Sequence, residues 1–325
     1  WMFPLALACG NSFVLKPSER DPSAALFMAR LLGEAGLPAG VFNVVQGDKV
    51  VVDALLTHPD VKAVSFVGST PIANYIYETG AKHGKRVQAL GGAKNHMVVM
   101  PDADLDKAVD GAVIGMRFTR QGQSCTASSR IFVQDAIHDA FVAKLKAKVD
   151  AMKMGDPLEE GTDIGTIISQ QQFDKVKSYI AFGEKAAGAV AHRCSALPRN
   201  KELERGFYVQ PVIFTGISND HKLAREEIFG PVTCVIKFKE YEDAIRQAND
   251  SDFGLAATIW TRDLKTALDA TQRLEAGLVQ VNQNLVVQAN MSYGGIKQSG
   301  LGKEASLESM LEHFTQKKTI IINLN

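Results

Sequence analysis

At 325 residues the chain is long enough for two domains of ordinary size, and 46% hydrophobic with 22% charged residues is the composition of a soluble globular protein. The 36 basic and 36 acidic residues give a formal net charge of zero, which excludes the strong charge bias typical of nucleic-acid or anionic-membrane binding. No apolar run is long enough to cross a bilayer, so we expect no nucleic-acid partner and no membrane partner.

The first part of the chain alternates strand and helix patterns. Predicted strands cover residues 11–16, 41–45, 61–67 and 86–90. Predicted helices between them cover residues 21–36, 48–58 and 68–83. Strands separated by helices of this length indicate an α/β fold, in which a parallel sheet is covered by helices on both faces.

A second α/β region follows Gly91 and Gly92. Its predicted strands cover residues 97–100, 131–133, 208–214, 232–238, 256–260 and 278–282. Its predicted helices cover residues 104–118, 136–152, 169–184, 241–249 and 263–275. The tail from Thr319 to Leu324 has the pattern of an apolar strand that needs a partner from another chain or domain, which predicts an oligomer contact.

The cysteines are widely spaced along the chain. None of the four, Cys9, Cys125, Cys194 and Cys234, forms a CxxC motif or stands at metal-ligand spacing from a histidine. We therefore expect no disulfide, no metal site and a reducing, cytoplasmic location.

Cys125 stands in a polar stretch of small residues, between Gln123, Ser124 and Thr126. These neighbours suit an irregular backbone with exposed N–H groups, which favour a thiolate and can hold the oxyanion formed when that thiolate attacks a carbonyl. Cys125 is therefore a candidate nucleophile. A small residue in a turn explains the same pattern, and these residues alone do not decide between the two interpretations.

Two features indicate a nucleotide-binding site, although the GxGxxG fingerprint of dinucleotide-binding folds is absent. Lys16 and Glu19 follow a predicted buried strand, and open α/β sheets bind ligands at the carboxyl ends of their strands. A carboxylate there can accept hydrogen bonds from ribose hydroxyls and would repel a 2′-phosphate, so NAD is expected rather than NADP. Gly68 and Ser69 lead into a helix whose first N–H groups can hold a phosphate. A solvated loop and a plain helix cap are the alternatives.

Six segments in order resemble the aldehyde dehydrogenase superfamily. They are Phe13–Glu19, Phe66–Thr70, Leu90–Gly92, Gly122–Cys125, Glu226–Pro231 and Tyr293–Gly302. The start of the chain, with Lys85–Gln88 and Ala93–His96, is particularly similar to the malonate/methylmalonate-semialdehyde branch. The resemblance implies two Rossmann-like parallel-sheet domains and a C-terminal oligomerisation strand. It assigns residues 1–90 to a partial NAD-binding domain, 91–290 to a catalytic domain, and 291–325 to a C-terminal return with that strand.

The resemblance also implies a reaction, in which Cys125 attacks a small aldehyde, forms a thiohemiacetal and gives a hydride to NAD, leaving a thioester. Lys16 and Glu19 would hold the adenosine ribose, and Gly68 and Ser69 the pyrophosphate. Glu227 would hold the nicotinamide ribose and Phe229 would lie beside the nicotinamide. Leu90 completes the expected cofactor-binding set.

Departures from the family pattern affect how the thioester is released. Ala89 stands where the family usually has a glutamate that activates water, and alanine cannot move a proton. This favours release of the acyl group by coenzyme A, as in the semialdehyde branch, or activation of water by another base. Glu304 is the candidate for that base. The alternative for Glu304 is a surface position at the start of a helix. Ser124 stands where the semialdehyde branch has an arginine that grips a substrate carboxylate, which opposes that branch.

The family's oxyanion-holding asparagine lies upstream of the point that matches Trp1, so we expect an N-terminally truncated chain. Three hypotheses follow. The chain is an NAD-dependent aldehyde dehydrogenase that forms a carboxylic acid, or a semialdehyde dehydrogenase that passes its acyl group to coenzyme A, or an inactive fragment that only associates. We favour the first, with a homo-oligomer (dimer or tetramer) as the assembly of the full-length protein.

Overall fold

The computed structural model describes residues 2–198, 200, 202–284, 288 and 290–324. The chain forms two compact units: the first comprises the described residues within 1–91, 287–294 and 300–325, and the second those within 92–286 and 295–299. Among the described residues, no helix is long and apolar enough to cross a membrane.

Helices and strands alternate through residue 91. They are α1 (Phe3–Ala8), β1 (Phe13–Leu15), α2 (Ser23–Glu34), β2 (Phe42–Val44), α3 (Lys49–Thr57), β3 (Ala63–Val67), α4 (Thr70–Lys82) and β4 (Arg86–Leu90). Asp48 begins α3 by accepting a hydrogen bond from the N–H of Val50 at 3.1 Å, as expected for an N-cap aspartate.

The second unit contains most of the remaining elements. They are β5 (Asn95–Val99), α5 (Leu105–Met116), β6 (Ser128–Gln134), α6 (Asp135–Asp150), α7 (Gln170–Glu184), β7 (Val190–Arg193), β8 (Val212–Thr215), α8 (Lys222–Arg225), β9 (Val232–Phe238), α9 (Tyr241–Asn249), β10 (Phe253–Gly254), β11 (Ala256–Trp260), α10 (Leu264–Arg273), β12 (Leu278–Val281) and β13 (Ile296–Lys297). Short 3₁₀ turns lie at Phe118–Arg120 and Leu203–Arg205. The chain returns to the first unit with β14 (Gly300–Leu301) and α11 (Leu307–Phe314).

The first unit contains two small sheets. β1 pairs with β2 in parallel, and the rings of Phe13 and Phe42 stack 6.0 Å apart beside Phe3. β3 pairs with β4 in parallel, and β14 adds to the other side of β4 in the antiparallel direction.

The second unit is built on a seven-stranded sheet in the order β12-β11-β5-β6-β9-β8-β7. All neighbouring pairs are parallel except β7 with β8. Successive residues of β5 enter opposite cores: Met97 and Val99 belong to one buried cluster and Val98 to the other. This alternation requires cover on both faces of the sheet, and the predicted α/β class with parallel sheets is confirmed.

The predicted C-terminal strand does not form within this chain. Residues 315–324 are neither helix nor strand, and Ile320, Ile321 and Ile322 are 67%, 90% and 73% exposed. A strand needs a neighbour for its backbone N–H and C=O groups, and the described chain provides none here. The role of this tail as an oligomer contact stays a prediction.

Arg130, on β6, is a fully buried cation that joins the sheet to the end of α9. Its guanidinium donates to the Asn219 side chain at 2.9 Å, to the carbonyl of Ala248 at 3.0 Å and to the carbonyl of Lys94 at 3.3 Å. The carbonyls in the last turn of a helix lack partners within the helix, so Arg130 satisfies groups that burial would otherwise leave unpaired.

We expect Arg130→Met to lower the free energy of unfolding by about 3 kcal/mol, because it removes every one of these donors from a buried site. The control is Arg246→Met on α9, whose side chain is 72% exposed and pairs with Asp243; its cost should be about 0.5 kcal/mol. Urea denaturation measures both, and equal losses would contradict the assigned role of Arg130.

Candidate active site

The candidate site lies at one edge of the large sheet in the second unit. β5, β6 and β9 are adjacent and parallel, so the segments that enter them meet at the same edge. The segment entering β5 carries Ala93, the segment entering β6 carries Cys125, and the segment entering β9 carries Glu227 and Phe229. The fold thus brings the loop of Cys125 to the segment that carries Glu227 and Phe229, although the two are far apart in the sequence.

Two backbones touch directly at this edge. A Cβ placed on Gly122 would lie 2.0 Å from the carbonyl oxygen of Gly230, and one placed on Gly230 would lie 2.4 Å from the side chain of Val176. Gly122 also has a φ of +65°, in the left-handed region that favours glycine. Glycine at position 122 therefore allows the Cys125 loop to lie against the turn that carries Phe229, and glycine at position 230 allows that turn to pack on Val176.

The Cys125 loop is compact rather than extended. After α5 the chain enters the left-handed region at Arg117 (φ 54°) and again at Gln121 (φ 53°), with a 3₁₀ turn between them. The side chain of Gln123 accepts a hydrogen bond from the N–H of Ile168 at 3.1 Å, which anchors the loop to a neighbouring segment. These conformations are costly for residues other than glycine, so surrounding contacts must hold them.

Cys125 itself is half-buried, whereas Cys194 and Cys234 are fully buried. Burial raises the pKa of the Cys194 thiol to about 12 and that of the Cys234 thiol to about 11. Nucleophilic chemistry needs a thiolate that a substrate can reach, so these two side chains are excluded and Cys125 remains accessible.

A small cavity opens beside the Cys125 loop. Residues from all three entering segments line it, including Ala93, Ser124, Ala127, Glu227 and Phe229. The Glu227 carboxylate accepts a hydrogen bond from the N–H of Ala93 at 3.0 Å. Burial raises the pKa of Glu227, although this hydrogen bond and the nearby lysines oppose the shift. A carboxylate held in this way can receive hydroxyl groups of a ligand without competition from bulk water.

Phe229 has a φ of 57°, an uncommon conformation for an aromatic residue. The side-chain amide of Gln172 on α7 donates to the carbonyls of Ile228 at 2.9 Å and Phe229 at 2.8 Å. This pair of hydrogen bonds fixes the turn and with it the position of the Phe229 ring. Sequence reasoning missed Gln172, because its partners are more than 50 residues away and no local pattern marks it.

Lys16 and Glu19 lie together in the first unit, at the carboxyl end of β1. The Lys16 ammonium donates to the Glu19 carboxylate at 3.2 Å and to the carbonyl of Gly47 at 2.8 Å. The Glu19 side chain is 54% exposed, and its own backbone N–H together with Lys16 holds its pKa below the usual value. Glu19 is therefore an ionised, accessible hydrogen-bond acceptor.

Gly68, Ser69 and Leu90 meet where β3 and β4 end. Gly68 donates its N–H to the carbonyl of Leu90 at 3.0 Å. Ser69 is exposed and precedes α4 without a side-chain cap hydrogen bond, which places it at the positive end of that helix. Leu90 is buried, so its side chain is part of the local core.

Glu304 and Ala89 also belong to the first unit. Glu304 is only 1% exposed, so the alternative of a surface glutamate is wrong; its backbone forms an antiparallel bridge with Tyr293. Ala89 is buried on β4 opposite Leu301. Neither observation assigns a catalytic role, and that of Glu304 stays a prediction.

Lys94 is a second residue that sequence reasoning did not single out. Its side chain is fully buried, its ammonium has no hydrogen-bond partner among the described residues, and burial lowers its pKa to about 8. The fields of Cys234 and Glu227 favour the charged amine and that of Arg130 opposes it. A lysine at the entrance to an apolar strand was the available signal.

Comparison with known proteins decides the family. Residues 1–320 match the model of the aldehyde dehydrogenase family. The chain belongs to this family. A betaine aldehyde dehydrogenase of Rhizobium johnstonii is 44% identical over 324 residues, which cover 100% of this chain and 66% of that protein. A malonate-semialdehyde dehydrogenase of Pseudomonas aeruginosa is 46% identical, over 98% of this chain and 65% of that protein.

Solved aldehyde dehydrogenase structures share the fold. A protein of Sinorhizobium meliloti 1021 assigned as a methylmalonate-semialdehyde dehydrogenase, complexed with NAD, superposes with a TM-score of 0.94 at 41% identity, covering 98% of this chain and 65% of that one. The chain thus spans about two thirds of the length of the relatives it matches.

We expect Gly122→Ala to slow alkylation of Cys125 by iodoacetamide by about tenfold or more, because a methyl group on Gly122 must push the loop away from Gly230. The control is Gly161→Ala, where φ is +81° and nothing lies within 4 Å of the added Cβ. That variant has the same backbone strain, about 1 kcal/mol, without the collision. Unchanged alkylation in Gly122→Ala would refute the close-contact argument.

The lowered pKa of Lys94 predicts that the stability of the protein depends on pH. Since its folded pKa is lowered to about 8 from 10.5, the unfolded chain binds more protons between these values, and stability rises with pH across that window. The free energy of unfolding of the wild type minus that of Lys94→Met should therefore increase by about 2 kcal/mol from pH 8 to pH 10. Parallel denaturation curves at the two pH values measure it, and a constant difference would show that Lys94 titrates normally.

Proposed function

We propose that the protein oxidises an aldehyde to a carboxylic acid with NAD, through a covalent intermediate on Cys125. The observation that carries this proposal is the half-buried Cys125 loop, held against the Gly230 turn beside a cavity lined by Glu227 and Phe229. The thiolate sulfur adds to the aldehyde carbon, a C–S bond forms, and the carbonyl oxygen takes the negative charge of a thiohemiacetal.

When bound, NAD would accept the hydride from the thiohemiacetal carbon, leaving a thioester on Cys125. The residues of the chain fit such a cofactor: the ionised, exposed Glu19 beside Lys16 suits the adenosine ribose, and the amino end of α4, where the exposed Ser69 follows Gly68, suits the pyrophosphate. The Glu227 carboxylate suits the nicotinamide ribose, with the Phe229 ring beside the nicotinamide. Glu19 would repel a 2′-phosphate, which favours NAD over NADP.

Release of the acyl group completes the reaction. Water adds to the thioester carbon, the C–S bond breaks, and the carboxylic acid and the free thiol of Cys125 result. The buried Glu304 is our candidate base, because Ala89 cannot accept a proton.

Coenzyme A is the alternative acceptor of the acyl group. The buried Ala89 favours it, as does the similarity to malonate-semialdehyde dehydrogenases. Ser124 opposes it: its hydroxyl pairs with that of Thr126 at 2.9 Å, and it offers no cation to a substrate carboxylate.

The exposed tail of Ile320, Ile321 and Ile322 supports a further proposal, that the full-length protein is a homo-oligomer. A row of apolar side chains with unpaired backbone groups is stabilised when a strand from a second copy covers it.

A single-turnover experiment tests the function. Mixed with NAD and a panel of aldehydes that includes betaine aldehyde and malonate semialdehyde, the protein should release a burst of NADH of about one equivalent per chain. Iodoacetamide and Cys125→Ser should abolish the burst, whereas Cys9→Ser, which removes the other half-buried cysteine, should keep it. The absence of any burst would leave the inactive associating fragment as the surviving hypothesis.

The same reaction separates the two routes of acyl release. Steady NADH formation without coenzyme A supports hydrolysis, and turnover that stops after one equivalent until coenzyme A is added supports acyl transfer. Replacing NAD by NADP should reduce the burst rate, because Glu19 disfavours the 2′-phosphate.

A further inference from the structure

Asn95 is the first residue of β5 and is only 2% exposed. Its side-chain amide donates to the carbonyl of Cys125 at 2.7 Å and to the carbonyl of Ala127 at 3.1 Å. Its side-chain oxygen accepts from the N–H of Ala256 at 2.9 Å. Both amide hydrogens and the oxygen are therefore used.

The hydrogen bonds of the Asn95 side chain take the place of backbone pairing between β5 and β6. The pairing between β5 and β6 shifts at this point, since Asn95 aligns with Ser128 but His96 with Arg130. The regular backbone ladder accordingly stops before it reaches Cys125. The Asn95 side chain continues the hydrogen bonding one step further, to the carbonyls on both sides of Thr126, and ties the loop to Ala256 at the start of β11.

A hydrogen bond that holds a carbonyl oxygen also fixes the orientation of the whole peptide group. The peptide group is planar, so the direction of the Cys125 carbonyl sets the plane of the bond to Thr126 and points the Thr126 N–H the opposite way. The Cα of Cys125 lies in that plane. Restraining the plane therefore limits the directions in which the thiol can point.

We propose that Asn95 is a positioning residue, which holds the main chain of Cys125 so that its thiol meets the substrate in one orientation. This inference rests on the proposed function for its kinetic consequence, although its effect on the thiol can be measured without NAD. An oriented nucleophile contributes through geometry, and a misplacement of about 1 Å can cost a hundredfold in rate.

The test uses Asn95→Asp, which keeps the shape but replaces both donated hydrogens by an oxygen that faces two carbonyls. Asn95→Ser, which retains a single donor, is the second variant should the aspartate variant fail to fold. The control is Asn249→Asp in the same unit. The Asn249 side chain also links two segments: it donates to the carbonyl of Arg273 at 2.7 Å and accepts from the N–H of Glu275 at 2.9 Å. All variants carry Cys9→Ser, so that Cys125 is the half-buried thiol that reacts.

The first readout is the rate of carboxymethylation of Cys125 by iodoacetamide across pH 6 to 10, followed by peptide mass spectrometry. We expect the Asn95 variant to differ from the wild type by about threefold or more at the plateau, and Asn249→Asp to match the wild type. The second readout is the NADH burst, whose rate should fall about tenfold or more while KM changes little.

Each outcome decides a separate question. An Asn95 variant with the wild-type alkylation profile overturns the positioning role, and so does an equal change in Asn249→Asp, because that would indicate a general loss of stability. A wild-type protein that alkylates but gives no NADH burst refutes the proposed function, while the comparison of alkylation profiles still decides the role of Asn95.

Discussion

The site depends on the contact between the backbones at Gly122 and Gly230. The absence of a side chain at Gly122 lets the Cys125 loop lie directly against the turn that carries Phe229, and its absence at Gly230 lets that turn pack on Val176. Contacts from three distant parts of the second unit then hold the two segments: Asn95 binds one loop, Gln172 binds the other, and Gln123 joins the first to Ile168. Several residues here adopt left-handed conformations that cost free energy, so the surrounding packing must stabilise them.

The sheet explains why these segments meet. Parallel neighbours β5, β6 and β9 begin at the same edge, which places the Cys125 loop and Glu227 beside one cavity at their amino ends. The first unit presents Lys16 and Glu19 at the carboxyl end of β1, as expected for a ligand site in an open α/β sheet. The two units thus carry different groups at the edges of their parallel sheets, a half-buried thiol in one and an exposed carboxylate paired with a lysine in the other.

Much of the fold could be predicted from the sequence, because buried parallel strands and amphipathic helices have strong periodic signals. The helix over Tyr241–Asn249 and the strand over Val232–Phe238 match the predicted bounds. The edge strand β7 was missed, since it is short and only partly buried. The tail from Thr319 was predicted as a strand, but one segment cannot supply the neighbour that a strand needs.

The candidate site was predictable only in part. Cys125 carried a local signal in its polar neighbours, and Glu227 and Phe229 followed from the resemblance to aldehyde dehydrogenases. Asn95 and Gln172 carried none, and Lys94 only its place before an apolar strand, because their significance comes from partners that the fold brings near and from burial. The roles of Glu304 and Ala89 depend on chemistry that geometry within one unit does not reveal.

The central claim is that an acyl group passes through the sulfur of Cys125, and trapping that adduct tests it most directly. The protein is mixed with NAD and an oxidisable aldehyde, quenched in acid within the first turnover, digested and analysed by peptide mass spectrometry. The account predicts an acyl thioester on Cys125 that forms only when NAD is present. An acyl group on another residue, or NADH formation with Cys125 unmodified at every time point, would contradict it.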